Sequence, residues 1–453
     1  MKVLKAIFKK KDTRRKLLFT LLILLLIQAA AGIPTPGVNT DYFKELVTQN
    51  SGLGFLNLIS GNGLGNLSIT MLSVTPYITA TIIFQLMELV FKGLSEIRKD
   101  GAVGEKRIKK YSMILGGFLG AIQSFGIAFG FSRNPEQCIL IDRHWYWIVL
   151  VIAIWTGASI VITLCGDLID KKGISGKGQG VSLILLCNII AGYPSDTQSV
   201  YEKFLMGQNV TNFAIRLTVI LVLVIALFCF TDLVHETDKR LPVTYSTKTA
   251  GEVRTEVSVF PIKLCPGTVV PIIFASSLMS FPSLVVAFFG GTVHTPWKGF
   301  NTVMNWIINA LNSMQWFQKD HMSYSFGVIL YVVLIFAFTY FYVVDIIMNP
   351  VEIAENFKKS GGMFPNIRPG EESAKYLKKQ MKYVLAIGAV ALTLIALIPS
   401  VLSGVFGISR LSFFGSSVII TIGVLDEFRD RLLADIQTEL RYGETKRSKR
   451  SMF

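Results

Sequence analysis

Residues 349–376 read NPVEIAENFKKSGGMFPNIRPGEESAKY, and this polar stretch lies between two strongly apolar segments, 324–347 and 381–403. Each apolar segment is long enough to cross about 30 Å of hydrocarbon as a helix. The stretch between them carries turn residues, a helical charge pattern and a lone arginine, Arg368, between Ile367 and Pro369. A loop that joins two membrane spans needs only to be soluble. This much pattern in such a loop predicts a surface that a partner binds.

The composition places the rest of the chain in a membrane as well. Of the 453 residues, 51% are hydrophobic and only 17% are charged. In a typical soluble domain, roughly a quarter of all residues are charged. The apolar residues are grouped into runs of membrane-crossing length, which predicts about ten transmembrane helices rather than a soluble helical bundle. The predicted spans are 17–33, 71–91, 111–131, 145–167, 180–196, 213–234, 266–289, 324–347, 381–403 and 412–428.

The net charge of +15 is distributed unevenly over the predicted loops. Ten spans with both ends on one side leave six loops or tails on that side and five on the other. The first set holds 37 of the 45 Lys and Arg residues. Because cytoplasmic loops carry the excess of positive charge, both termini are predicted to lie in the cytoplasm. The first span resembles a signal peptide, but the charge count requires that it stay as a helix.

The chain shows no pattern typical of an enzyme or of a metal site. It contains no G-x-S-x-G and no H-E-x-x-H, and the one pair of adjacent carboxylates in a predicted span, Asp426 and Glu427, lies at the span end. GISGKGQG at 173–180 fails as a phosphate loop, because its glycine spacing is wrong and Gly178 follows Lys177. Ion-coupled transporters usually keep an ionisable group near mid-membrane, and the nearest candidate, Glu88, lies near a span end. We therefore expect no catalysis and no cofactor.

Residues 53–70 (LGFLNLISGNGLGNLSIT) form a second unusual segment, half apolar but too short to span a membrane. Its Gly and Asn residues permit backbone geometry that other residues resist, so it is a poor helix centre and a good mobile element. Either the segment is an ordinary external loop, or it is a short re-entrant segment. The second alternative implies a surrounding cavity, because irregular backbone is tolerated at membrane depth only inside protein or water.

Two predicted spans share a pattern of their own. In each, a proline (Pro76 or Pro271) is followed within about two turns by small or hydroxyl-bearing residues. Such residues are common in membrane helices, but they also let two helices approach and bond across a seam, at ~0.6–2 kcal/mol per bond. The two spans are the second of the first five and the second of the next five, which indicates an inverted repeat.

Together these segments resemble the SecY family of protein-conducting channels. IPTPG at 33–37 is similar to the family's sequence after its first helix, and 53–70 is similar to its plug. TPYITATIIFQL (75–86) and VVPIIFASSLMSFP (269–282) are similar to the starts of the family's second and seventh helices. The pattern NPxExAxNxKKSGxxxPxIRPGExxxxY is present almost intact from Asn349 to Tyr376. The similarity covers nearly the whole chain.

The resemblance implies an all-α polytopic membrane protein with two inverted five-helix halves around a central pore and a re-entrant plug. A cytoplasmic tail at 1–16 would precede the first half at 17–196, which includes the plug at 53–70. The second half would occupy 213–434 and carry the cytoplasmic loops 235–263 and 348–382, followed by a basic cytoplasmic tail at 435–453.

The resemblance also implies roles for particular residues. A ring of aliphatic side chains at the waist of the pore would consist of Val74, Ile78, Leu185, Ile273 and Ile420. The plug would be centred on Gly61, Asn62, Gly63, Leu64 and Gly65. A lateral gate between the second and seventh spans would carry Thr79, Thr81, Gln85, Ser276 and Ser277.

The cytoplasmic loops would form the docking side of such a channel. The docking residues implied are Arg240, Arg254, Lys358, Lys359 and Arg368. The resemblance implies as partners a SecA motor ATPase, the ribosome with its RNA, small SecE-like and SecG-like membrane subunits, preprotein signal sequences and membrane lipids. Lys and Arg suit RNA phosphates through counterion release, although most of the lysines also fit a simple topology-setting role.

The function predicted is the pore-forming subunit of the general secretory translocon in a bacterial plasma membrane. Two alternatives stay open: a secondary transporter with inverted repeats, and an accessory SecY paralogue with a restricted client set. The second alternative arises because the sequence departs from the family at GISGKGQGVS (173–182) and at KLCPGT (263–268).

Overall fold

The computed structural model describes residues 11–40, 43, 56–130, 132, 140, 144–173, 179–201, 210–249, 252–267, 269–287, 298–317, 322–406 and 414–450. Parts of the predicted tails (1–10 and 451–453) and of the predicted plug (53–55) lie outside these residues. The chain divides into two compact units. The first comprises Met1–Gln198, Ser280–Asn312 and Val424–Phe453, and the second comprises Ser199–Met279 and Ser313–Gly423.

Helices make up most of the part of the chain that the structure describes. In chain order the elements are α1 (Lys11–Ala31), α2 (Thr75–Val90), α3 (Lys92–Lys99), α4 (Ala102–Gly130), α5 (Trp145–Lys172), α6 (Gly180–Val200), α7 (Val210–Glu236), β1 (Asp238–Thr249), β2 (Glu252–Lys263), α8 (Val269–Ala287), α9 (Lys298–Ala310), α10 (Phe326–Phe341), α11 (Pro350–Ser360), β3 (Gly362–Met363), α12 (Glu371–Phe406) and α13 (Phe414–Arg450). Short 3₁₀ turns lie at Ser313–Gln315 and Met322–Ser325, and a π-helical turn, Tyr342–Ile347, extends α10.

Several of these helices have the length and composition of membrane spans. Four stretches in the described residues qualify: Val103–Gly130, Trp145–Lys172, Ser323–Ser360 and Glu371–Gly404. Two shorter apolar helices, Gly180–Ser195 and Val269–Pro282, accompany them. All six coincide with predicted spans, and the count of ten and the inverted halves remain predictions.

Helix α5 has a buried face and an exposed face, and both are apolar. Its buried residues, from Val151 and Trp155 to Ile169, recur at helical spacing along one stripe. The opposite side exposes large apolar side chains, among them Val161 and Leu164. A helix that is apolar on its exposed side as well as its buried side is suited to lipid rather than to water.

The prediction of an all-α chain needs one correction, because the predicted loop 235–263 folds mainly as strands. β1 and β2 pair antiparallel from Asp238↔Lys263 to Thr249↔Glu252, and the sheet order is β2-β1-β3. Buried and exposed residues alternate along β1, as is typical of a strand. Leu241 and Val243 are buried, and the residues between and beside them are polar or exposed. Side chains two residues apart share one face of a strand, so this pattern gives the sheet a single apolar face.

That apolar face belongs to a core within the second unit. The core joins the sheet to α11, α12 and the π-helical turn through buried side chains that include Leu241, Val243, Ile262, Val343, Val344, Ala354, Phe364, Leu377, Met381, Val384 and Leu385. A contiguous core of this kind holds the 361–370 turn in a fixed place on the second unit.

A separate core lies within the first unit. It gathers Val38, Phe43, Leu64, Leu67, Met71, Leu72, Ile127, Ala128, Leu140, Val151 and Trp155. Its members come from the irregular segment 56–74 as well as from α4 and α5, so that segment packs inside the unit.

We predict that α6 tolerates a methyl group poorly at its first residue. A Cβ on Gly180 would lie 2.0 Å from the carbonyl oxygen of Gly166 on α5, and overpacking of this kind costs roughly 1–3 kcal/mol. Gly180→Ala should therefore lower the melting temperature of the purified protein. Gly192→Ala, on the same helix with nothing within 4 Å of its Cβ position, is the matched control. Equal melting temperatures for the two variants would contradict the close approach of α5 and α6.

Candidate functional site

Residues 56–70 of the predicted plug lie within the segment 56–74, which enters the first unit as one helical turn (56–59) followed by successive turns up to α2. Gly61, Gly63, Leu64 and Gly65 are buried, and Asn62 is partly buried. Buried irregular backbone needs hydrogen-bond partners, since each unpaired group would cost free energy comparable to a lost bond. The partners of this segment therefore decide whether it is stable where it lies.

Some of those partners come from within the segment. Asn57 accepts a hydrogen bond from the Gly65 N–H at 2.7 Å and donates one to the Asn62 side chain at 3.0 Å. The Ser60 hydroxyl accepts from the Leu64 N–H at 3.0 Å. Short polar side chains thus replace the regular bonds that a helix would have made.

Other partners come from the helices of the first unit. On α6, the Asn188 amide nitrogen donates to the Ile59 carbonyl and to the Ser73 hydroxyl, both at 2.8 Å. The Asn62 amide donates to the Ser195 hydroxyl, also on α6, at 3.0 Å. The segment is therefore attached to α6 at both ends and in its middle.

A second attachment involves the residues that follow α1. The Thr35 N–H and hydroxyl both donate to the Leu67 carbonyl, at 3.0 and 2.7 Å. The Trp155 indole nitrogen on α5 donates to the Thr35 hydroxyl at 2.8 Å. The IPTPG sequence at 33–37 thus supports the segment, which explains why such a specific turn follows the first span.

The backbone of the segment is strained at several points. Asn62, Leu67 and Ser73 have φ values of 65°, 41° and 47°, a region that residues with a side chain rarely adopt. Gly61 has φ 66°, and a Cβ there would lie 3.1 Å from the Asn188 Cα. Strain of this kind persists only where the surrounding structure over-determines it, and it concentrates at functional sites.

The five predicted ring positions are divided between the two units. Val74 and Leu185 are buried in the first unit, where Ile78 is partly buried. Ile273 and Ile420 are buried in the second unit. All five are aliphatic, and their meeting in one ring remains a prediction.

The predicted gate residues direct their hydroxyls mainly into their own units. Thr79 and Thr81 donate to the carbonyls of Thr75 and Tyr77, one turn earlier in α2, at 3.0 and 2.9 Å. The Ser276 hydroxyl on α8 lies 3.3 Å from the Tyr331 hydroxyl on α10. Ser277 and Gln85 are partly buried. Among the residues that the structure describes, the buried carboxamide oxygen of Gln85 makes no hydrogen bond.

Ionisable groups near the span ends are paired in the first unit. Glu88 forms an ion pair with Arg98, which fits an interfacial carboxylate better than a transport site. The Lys109 ammonium bridges Asp167 and Asp170 at 2.8 and 2.7 Å. No group of three His, Cys, Asp or Glu residues able to hold a metal occurs in the described ranges.

The predicted docking residues lie on a platform formed by the sheet, α11 and the 361–370 turn, all in the second unit. Asn349 caps α11 by accepting the Val351 N–H at 3.1 Å, which satisfies one of the free amides at that helix start. Arg240, Lys358, Lys359 and Arg368 are exposed or partly exposed. Arg254 belongs to β2, and its side chain lies outside the described structure.

Arg368 combines a fixed backbone with a side chain on the surface. Its carbonyl accepts the Ser373 hydroxyl at 2.9 Å, and the neighbouring Phe364 is buried in the core of the platform. The guanidinium therefore extends from a rigid turn, which suits recognition of a planar anionic group.

The hairpin of β1 and β2 has two uncharged titratable side chains near its base. It is closed by the Leu264 N–H, which donates to the Thr237 carbonyl at 2.9 Å. His235, just after the predicted span 213–234, has its pKa lowered to about 4 by burial and by the Lys263 ammonium. Burial raises the pKa of Cys265 to about 12. Both side chains are thus uncharged near neutral pH.

The sequence analysis missed two residues that hold the segment 56–74. Asn188 bonds the segment directly, and Trp155 bonds Thr35, which in turn bonds the segment. A signal existed for Asn188, because it is a lone amide in the apolar run SLILLCNII (182–190). Polar residues inside membrane spans are costly and mark function. Trp155 offered no such signal, because aromatic residues are ordinary in spans.

Comparison with known proteins identifies the family to which this chain is similar. The SecY family model matches residues 68–428. The protein translocase subunit SecY of Lactococcus lactis subsp. lactis (strain IL1403) is 33% identical over 433 residues, which are 93% of each chain.

Two solved structures share the fold. One is a SecY protein studied for a plug domain that stabilises the closed translocation channel, with a TM-score of 0.60 and 16% identity over 93% of this chain and 92% of that one. The other is Sec61 in the canine ribosome-channel complex, with a TM-score of 0.59 and 15% identity over the same shares. From the family match, the relative and the shared fold together, we conclude that this multi-pass membrane protein belongs to the SecY family.

Proposed function

We propose that this chain is the pore-forming subunit of a protein translocase. It passes unfolded preproteins across the membrane, releases hydrophobic segments into lipid, and has no catalysis of its own. Besides family membership, the observation that carries this proposal is the buried segment 56–74. It is held by separate neutral hydrogen bonds and lies on strained backbone, as a removable seal should.

The waist of the pore is the predicted ring of Val74, Ile78, Leu185, Ile273 and Ile420. A narrow aliphatic ring loses its water and so blocks hydrated ions. It also offers an extended polypeptide no polar group to bind, so a chain in transit can keep moving. Support comes from the burial or partial burial of all five side chains.

Residues 56–70 of the buried segment act as the plug that seals the ring from outside. Each neutral hydrogen bond contributes about 0.5–1.5 kcal/mol net, so a handful of them is stable at rest but can be broken by an entering chain. The lateral gate lies between α2 and α8. Each Leu or Ile of a signal segment favours insertion by roughly 0.5 kcal/mol, so about ten of them outweigh the weak polar contacts that we expect there.

The exposed basic platform of the second unit is the docking side. Its proposed partners are a SecA motor ATPase and the ribosome with its RNA, and the fold shared with a ribosome-bound Sec61 channel supports the second. Small SecE-like and SecG-like subunits complete the assembly. The chain lies in a bacterial plasma membrane with both termini cytoplasmic, an orientation supported by the charge asymmetry of the loops.

We predict that Ile78→Cys and Ile273→Cys each crosslink to a secretory chain arrested in transit that carries one cysteine, because both positions line the ring. The matched control is Ile114→Cys on α4, a position 63% exposed on the apolar surface. The native cysteines are replaced beforehand, and crosslinks are scored as mass shifts on gels.

Crosslinks from the two ring positions but not from Ile114→Cys would support the channel. Their absence, together with passage of a small solute through reconstituted protein, would favour the secondary transporter instead.

We predict that Arg368→Glu lowers export by roughly tenfold or more, the effect of losing about 1.4 kcal/mol of partner binding. The protein should still accumulate in the membrane, because the guanidinium lies at the surface of the platform, outside its apolar core. Lys375→Glu makes the same charge reversal at an exposed position of the second unit just outside the platform, at the start of α12, and should leave most export intact. Full export by Arg368→Glu, measured as signal-peptide cleavage in pulse-labelled cells, would overturn the role of Arg368.

A further inference from the structure

One side chain joins the plug part of the segment, residues 56–70, to the residues 71–74 that lead into α2. Asn188 lies on α6 and is only 1% exposed. Its amide nitrogen carries two hydrogens, and the two acceptors are the Ile59 carbonyl and the Ser73 hydroxyl, each at 2.8 Å. Ile59 belongs to the buried turn of the segment, whereas Ser73 directly precedes Val74 and α2.

The buried amide of Asn188 destabilises the folded protein unless both of its hydrogen bonds are formed. A buried amide that loses a partner leaves a desolvated donor, which costs more than the bond itself contributes. Ser73 is also held in place from the other side, because the Ser159 hydroxyl of α5 donates to the Ser73 carbonyl at 2.8 Å. Ser73 is therefore bonded both to α5, through its carbonyl, and to α6, through its hydroxyl.

We propose that Asn188 is a positioning residue that couples release of the plug part of this segment, residues 56–70, to displacement of residues 71–74 and the start of α2. The inference rests on the proposed channel function. When α2 moves, the Ser73 hydroxyl leaves, the carboxamide of Asn188 loses its orientation, and its bond to Ile59 weakens. Since coupling free energies are reciprocal, release of the segment also frees α2.

Because of this coupling, the ring and the plug are expected to open together in one step. Val74 lies next to Ser73 and is a predicted ring residue, so the same displacement changes the ring and loosens the segment. The positive φ of Ser73, 47°, is a second restraint that the displacement would release.

The test measures how often the segment opens when no chain is being transported. Leu64, 2% exposed, is replaced by cysteine in a variant without the native cysteines, and its reaction with a membrane-impermeant maleimide is timed in proteoliposomes. Asn188→Ala should raise the rate roughly tenfold or more, since both hydrogen bonds of the Asn188 amide are lost. Ser73→Ala should also raise it, because the Asn188 amide then loses one of its two acceptors.

Two comparisons separate coupling from simple loosening. In the double variant Asn188→Ala with Ser73→Ala, the rate should be no higher than in Asn188→Ala alone, because both changes remove one shared interaction. Leu183→Ala makes a cavity at another buried position of α6 and should change the rate much less than Asn188→Ala.

The inference is overturned if the single variants stay within about twofold of the parent, if their effects multiply in the double variant, or if Leu183→Ala matches Asn188→Ala. Should Asn188→Ala fail to accumulate, Ser73→Ala alone decides by the same twofold criterion. Export by the parent protein is measured in parallel, so loss of the proposed function is distinguished from failure of the coupling.

Discussion

The structure depends on one constraint: irregular backbone inside a membrane protein must find its hydrogen bonds in protein. The segment 56–74 meets this constraint with short side chains of its own, Asn57 and Ser60, and with Asn188 of α6. The same bonds that make the segment stable are neutral and separate, so they can be broken one after another. A seal that must open needs this combination.

The second unit is stabilised differently, by an apolar core rather than by separate hydrogen bonds. Its sheet, α11 and the start of α12 share an apolar core like that of a soluble domain, and the basic side chains that the structure describes on them lie at the surface. A rigid core under a charged surface allows a partner to bind without distorting the membrane spans. Arg368 extends from a turn whose backbone is held by Ser373, so the platform presents that cation in a defined place.

Composition, periodicity and charge made part of this architecture predictable from the sequence alone. The apolar runs predicted six spans that coincide with apolar helices, and the glycines and asparagines predicted the irregular segment. The hairpin at 238–263 was missed because a segment between two spans was treated as a connection, although Leu241 and Val243 alternate with exposed residues. The partners of Asn188 were out of reach, because Ile59 and Ser73 are more than a hundred residues away in the chain. The meeting of the five ring positions still rests on the family resemblance.

The most direct measurement is export by a protein whose segment is tied to α6. A Cβ at Gly61 would lie 3.2 Å from the Cβ of Asn188, close to the roughly 3.5–4.5 Å that a disulfide spans, so Gly61→Cys with Asn188→Cys should form one. In a background without native cysteines, we expect export to stop when the pair is oxidised and to return on reduction. Undiminished export by the fully oxidised protein would contradict the claim that the segment 56–74 must leave its place for a chain to pass.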